Sequence, residues 1–228
     1  MSVILYLDTT ANRLMIGVSR DGVMCARYVA QTDSHRYHSA LLIPAIQQVL
    51  REAGVSVRDL TALAVNHGPG SFTGIRTGIT TARTSSQFLG LPVHVFNTFE
   101  LLANQSPEPV DIFLDALRGR VYHACLRFDE TGPVYCSPAE LKVLSPDEAP
   151  ATASQVIVSP SLYAQWEPLM MKQGISLRAI PEDWDSPAAM LALVQRYGDR
   201  FARPWLEVKP FYLQEPSITL KRPQTPLH

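Results

Sequence analysis

Along this chain apolar residues come in short uninterrupted runs closed by turn signals, and the longer stretches between them repeat at helical spacing. Residues 2–10 contain one such run, ending at Asp8, and predict a buried strand; residues 13–19 predict a second. Asp21-Gly22 then supplies a hairpin turn before a third strand over 23–29. Strands joined this tightly form an antiparallel meander. Next, Leu42, Ile46, Val49 and Ala53 recur at helical spacing, and Gly54 stands where a C-terminal cap belongs, so residues 38–54 predict a helix. Pro44 either begins the regular part of that helix or bends it. A strand over 60–66, a glycine-rich turn, a helix over 71–89 and a strand over 92–97 complete the first half.

The layout then repeats. Residues 110–136 run strand, Asp, short turn, strand, acidic-Gly turn, strand, as residues 2–26 do. With Asp8 set over Asp115, Arg13 falls on Arg120 without a gap. Helix and strand alternate after each copy; in the second half, strands at 154–159 and 177–180 flank an amphipathic stretch at 161–174, and a helix follows over 186–198. Duplicated halves predict an α/β protein of two lobes, each a mixed β-sheet with flanking helices. Pro107 and Pro109 place the boundary, giving lobes at 1–105 and 106–203. Prolines at 204, 210, 216, 223 and 226 preclude a long helix, so 204–228 is expected as an extended tail free to lie on another surface.

Composition narrows the classes. Hydrophobic residues make up 46% of the 228 and charged residues 18%, the balance of a folded chain. The formal net charge is -1, without the basic excess of a protein that grips nucleic acid unaided. Service to RNA would therefore run through a partner. The three cysteines form no CxxC pair, which points to a reducing compartment. The N-terminus lacks the basic start and long apolar region of a signal peptide, and no window approaches the roughly 18 apolar residues that span a bilayer. A cytoplasmic protein without membrane contact is expected.

The segment NHGPGSFTGIRTGI, starting at Asn66, carries the densest candidate chemistry. It is not a P-loop, since no lysine precedes Lys142, and Gly68, Gly70 and Gly74 miss the dinucleotide spacing. Ser71 and Thr73 at a helix start could still attract an anion, but capping by Ser71 is favoured. Phe72, Ile75, Ile79, Ala82, Ser86 and Leu89 form an apolar stripe, while Gly74, Gly78 and Ala82 line up where there is almost no side chain. Each glycine costs about 1 kcal/mol against alanine in a helix. Close approach of a neighbour offsets that loss, and the neighbour is either this lobe's own sheet or a second protein; a face this smooth favours contact over catalysis.

Asp8 followed by Thr9 and Thr10, with Asp115 as counterpart, has the layout of an actin-like phosphate site. The second turn lacks the glycine and threonine such a site needs, so turn-capping is favoured for both carboxylates. His35 and His38, near Asp33, have no third ligand, so no metal site is expected. His67, His94 and His123 stand alone and read as hydrogen-bonded structural residues. No GxSxG elbow occurs.

The segments ILYLDTT, HSALLIPAI, NHGPGSFTGIRTGI, DALRGRVY and PFYLQEP, in that order over nearly the whole chain, resemble the bacterial TsaB (YeaZ) family. The resemblance implies a two-lobed actin-like (ASKHA) fold. It implies a part in making threonylcarbamoyladenosine in tRNAs that read codons beginning with A. Such a chain is a non-catalytic scaffold without a cofactor of its own. It dimerises with TsaD, the paralogue that binds metal and nucleotide, while the ATPase TsaE docks on the pair and tRNA is reached through the complex. Alone, the chain is expected to form a homodimer. The resemblance assigns the subunit interface to helices 38–53 and 71–89, through His38, Leu42, Ile46, Val49, Ser71, Phe72, Gly74, Ile75, Gly78, Ile79 and Ala82. Asp8, Thr9 and Asp115 are weak nucleotide-binding candidates. The alternative is a self-contained ATP-binding or peptidase-like enzyme of the same superfamily, which would need Asp8 and Asp115 to hold Mg-ATP.

Overall fold

Residue alternation within the first strand sets the layering of the molecule. β1 (Val3–Asp8) is buried along its whole length. Val3, Leu5 and Leu7 enter one core, and Ile4 and Tyr6 enter another on the opposite face. A strand covered on both faces reads as a continuous apolar run, which is why the sequence shows no alternation there. The computed structural model describes residues 1–31, 36–104, 106–116, 118–142 and 153–214, except the side chains of 36–38 and 141.

β1, β2 (Arg13–Arg20) and β3 (Val23–Gln31) form the expected meander, paired from Val3↔Arg20 to Asp8↔Met15, with a bulge near Val18 and Ser19 in the β2–β3 ladder. α1 (Arg36–Glu52), β4 (Ala62–Asn66), α2 (Phe72–Leu89), β5 (Val93–Phe96) and α3 (Thr98–Ala103) follow. The second series is β6 (Val110–Asp115), β7 (Val121–Asp129), β8 (Gly132–Lys142), β9 (Gln155–Val158), α4 (Pro160–Lys172), β10 (Ser176–Ala179), α5 (Ser186–Tyr197) and β11 (Ala202–Arg203). Pro44 lies inside α1, which begins two residues earlier than its apolar pattern.

One sheet has the order β11-β5-β4-β1-β2-β3 and the other β10-β9-β6-β7-β8. Without β11 the two orders coincide, β1 matching β6 and β5 matching β10. In both, the meander is antiparallel and the remaining strands add in parallel. This is a duplicated, two-lobed actin-like fold.

The two sheets exchange helices. α3 follows the first sheet in sequence but packs on β6 and β7, and α5 follows the second but packs on β1 and β2. One apolar core therefore joins both sheets, with Ile4, Tyr6 and Phe96 beside Ile112, Leu114 and Leu126. Apart from β11, which returns to the first sheet, the strands divide between 96 and 110; the helices do not follow that division. Polar ties reinforce the crossing: Arg13 donates to the carbonyls of Glu182 and Trp184, Arg27 pairs with Asp185, and Gln195 donates to the Gly22 carbonyl.

Of the expected tail, Pro204 leads into a 3₁₀ turn over Trp205–Glu207, Val208 is fully buried, and the Phe211 N–H donates to the His67 carbonyl at 2.8 Å. The rest of the tail, from 215, lies outside the described residues. Among the described residues no helix is long and apolar enough to cross a membrane.

Candidate functional site

The glycine-rich turn joins β4 to α2 and folds over the end of β1. Asn66, at the end of β4, is fully buried, and its Nδ2 lies 3.0 Å from Asp8 Oδ2, 3.0 Å from Thr10 Oγ1 and 3.1 Å from Thr98 Oγ1. Its Oδ1 accepts from the Gly68 N–H at 3.0 Å. Asp8 Oδ1 accepts from the Thr10 N–H at 2.9 Å and the Thr10 hydroxyl at 2.7 Å. The network ties β1, β4 and α3 together, and both Asp8 oxygens are occupied within it. A buried carboxylate needs such donors, because leaving it unmatched in a dry interior is costly.

The start of α2 closes on the same point. The Ser71 N–H donates to the Thr10 carbonyl at 2.7 Å, and Ser71 Oγ accepts from the Gly74 N–H at 3.2 Å, a side-chain cap. The Thr9 hydroxyl donates to the Gly74 carbonyl at 2.6 Å. A Cβ at Gly74 would fall on the Thr9 carbonyl oxygen, and one at Gly78 would stand 2.5 Å from the Thr9 hydroxyl. The neighbour that requires the small-residue line is thus the end of β1 in this same chain.

At the matching end of β6, the Asp115 carboxylate accepts from the Ser161 hydroxyl at 2.8 Å, and its N–H donates to Ser159 Oγ at 2.9 Å. Asp8 and Thr9 bind the glycine-rich turn and the start of α2, and Asp115 binds the start of α4. At the β1 turn Thr9 is fully buried, and the Ser71 and Gly74 amides at the start of α2 are engaged by the Thr10 carbonyl and the Ser71 hydroxyl. Among the described residues no three His, Cys, Asp or Glu side chains converge as a metal site. His35 and the side chain of His38 lie outside the described residues.

Three further histidines, His67, His94 and His123, are described. His67 Nδ1 lies 2.9 Å from the Lys209 carbonyl, and burial pushes its pKa down. Burial lowers that of His94 as well. His123 Nε2 sits 2.8 Å from Asp111 Oδ1, both side chains buried, and Asp111 Oδ2 accepts from the Ala153 N–H.

Most of the expected interface residues face inward in this chain. Leu42, Val49, Ile75, Ile79 and Ala82 are buried in the first lobe's own core, Gly74 and Gly78 face Thr9, and Ile46 packs half-buried against the same core. Ser71 is engaged as a cap, and the Phe72 ring stacks on Tyr212 at 4.7 Å between centroids. The apolar stripes of α1 and α2 face inward because each helix covers one face of the sheet. What the two helices expose is a different set. Ala40, Ile43, Pro44 and Gln47 on α1, with Thr73, Arg76, Thr80 and Thr84 on α2, form the outer face; Ile43 is 52% exposed. Sequence periodicity identified the helices, and the complement of each buried stripe could have pointed to this face.

The family model of TsaD, tRNA N6-adenosine threonylcarbamoyltransferase, matches residues 29–173. The chain is 33% identical over 122 residues to the tRNA threonylcarbamoyladenosine biosynthesis protein TsaB of Bacillus subtilis, covering 52% of each chain. It is 29% identical over 184 residues to the TsaB of Escherichia coli, covering 77% of this chain and 78% of that one. The chain spans just over half the length of the Bacillus relative and 56% of an uncharacterized Mycobacterium leprae protein. A solved Pseudomonas aeruginosa structure, described as similar to peptidase YeaZ, shares the fold, with a TM-score of 0.72 at 22% identity over 94% of this chain and 100% of that chain. On the family match, the fold and these relatives, the chain belongs to the tRNA N6-adenosine threonylcarbamoyltransferase family, alongside its TsaB (YeaZ) members.

Proposed function

We propose that this chain is the non-catalytic subunit of the assembly that attaches a threonylcarbamoyl group to adenosine in tRNAs reading codons that begin with A. Its partner is a TsaD-like paralogue that carries the chemistry. A TsaE-like ATPase docks on the pair, and tRNA is reached through the complex. The names of the Bacillus and Escherichia relatives support the pathway. The observation that carries the scaffold reading is the closed β1 turn: Asp8 and Thr9, where an actin-like enzyme would meet phosphate, are fully buried and hydrogen-bonded within the chain.

The outer face of α1 and α2 is the partner surface in this reading. Exposed Ile43 and Pro44 give apolar area, threonines give a low relief, and Arg76 is an exposed charge among the α2 threonines. Without its partner the same patch meets its own copy around a twofold axis. Light scattering coupled to size-exclusion chromatography tests this with the chain alone and mixed with the paralogue. A 1:1 complex replacing a self-associated species is expected, and Ile43→Asp is expected to prevent both associations while leaving the far-ultraviolet circular dichroism of the folded chain unchanged. Persistent separate peaks would overturn the pairing.

A further inference from the structure

A cleft of about 370 Å³ opens on the flank of α2 that faces the C-terminal strap. Arg76, Thr80 and Arg83 form one wall and Pro210 and Tyr212 the other. The Arg76 guanidinium lies 5.4 Å from the centroid of Phe72, which itself stacks on Tyr212. Arg83 lies 5.7 Å from the ring centroid of Trp205. Neither arginine has an ion-pair or hydrogen-bond partner among the described residues. Stacking on a ring orients a guanidinium while leaving its N–H groups free for an anion.

We propose that this cleft docks an extended acidic segment of a partner protein, one carboxylate paired to each guanidinium. Seven residues of α2 separate the two arginines, about 10 Å along the helix axis. The Arg76 guanidinium lies over Phe72 and that of Arg83 over Trp205, so each is turned to a different ring. Phosphate sites usually add main-chain N–H groups from a helix start or a loop nest; the amides here lie within α2 and are spent in its ladder. In an extended polyproline II segment residues i and i+3 share one face about 9 Å apart, so two acidic side chains at that spacing reach both forks. A nucleic acid backbone is disfavoured by the chain's net charge of -1. The cleft shares Arg76 and Thr80 with the outer side of α2, whereas Ile43, through which the proposed pairing is tested, does not line it.

The test uses the full chain and a fluorescein-labelled hexaglutamate peptide, read by fluorescence anisotropy. Saturable binding is expected, weakened roughly tenfold by Arg76→Gln or Arg83→Gln. It should fall as salt rises, recover in part with Arg83→Lys, and stay unchanged in Arg58→Gln, an exposed arginine outside the cleft. Ile43→Asp should leave it intact, which separates failure here from failure of the subunit pairing. The assignment is overturned by absent saturation, by equal loss in Arg58→Gln, or by undiminished binding in the cleft variants. Tighter binding of inorganic phosphate or a ten-nucleotide single-stranded RNA at these arginines would overturn it too.

Discussion

The carbonyl oxygen of Thr9 occupies the space where a side chain at Gly74 would begin, and its hydroxyl takes the space beside Gly78. Two helix-interior glycines forfeit about 2 kcal/mol of helix propensity, offset here by seating α2 directly on the end of β1. Gly74→Ala gains propensity and loses that seat, because the Thr9 backbone cannot move without disturbing the Asp8 network. A net destabilisation of about 2–3 kcal/mol is expected, read as a lower denaturation midpoint at unchanged slope; an unshifted midpoint would refute the packing argument. The sequence showed that something must approach these glycines. It did not show what, because periodicity assigns a residue to a side of its helix and carries no information about the neighbour on that side.

Among the α-helices, α3 was the one the sequence pattern left unread. It has six residues, too few to establish a helical period. Its signal is the capping box: the Asn97 side chain accepts from the Glu100 N–H, and Glu100 accepts from the Asn97 N–H, each at 2.9 Å. Burial pushes the Glu100 carboxyl up to about 7, against the pull of the Asn97 N–H and of Arg203. A folded-state value above the unfolded 4.5 means that the folded protein holds the proton more tightly. Stability is therefore greatest below the unfolded value and declines as pH rises toward 7. Glu100→Gln keeps an acceptor for the Asn97 N–H and removes the titration. The difference between the two proteins is expected to widen by on the order of 2–3 kcal/mol from pH 4 to pH 8. His67 and His94, whose lowered values act in the opposite direction, titrate in both proteins and cancel. Parallel melting profiles across that range would show that Glu100 is not held as described.

For the whole molecule, the exchange of α3 and α5 makes the lobes interdependent. A fragment of residues 1–105 would keep most of the first sheet but lose α5 and β11, uncovering Ile4, Tyr6 and Phe96, each worth about 1.5–3 kcal/mol when buried. Such a fragment is expected to show no cooperative thermal transition by circular dichroism, whereas the full chain shows one. A cooperative melt of the fragment would mean that the first lobe folds alone. By itself the sequence determined the strands and long helices, the duplication and the family, since these rest on local periodicity, turn chemistry and segments contiguous in the chain. The tertiary structure alone decided that α3 and α5 cross between sheets, that the glycine line meets Thr9, and that the outward faces of α1 and α2 differ from their apolar stripes. Those outcomes depend on which surfaces meet after residues far apart in sequence pack against one another.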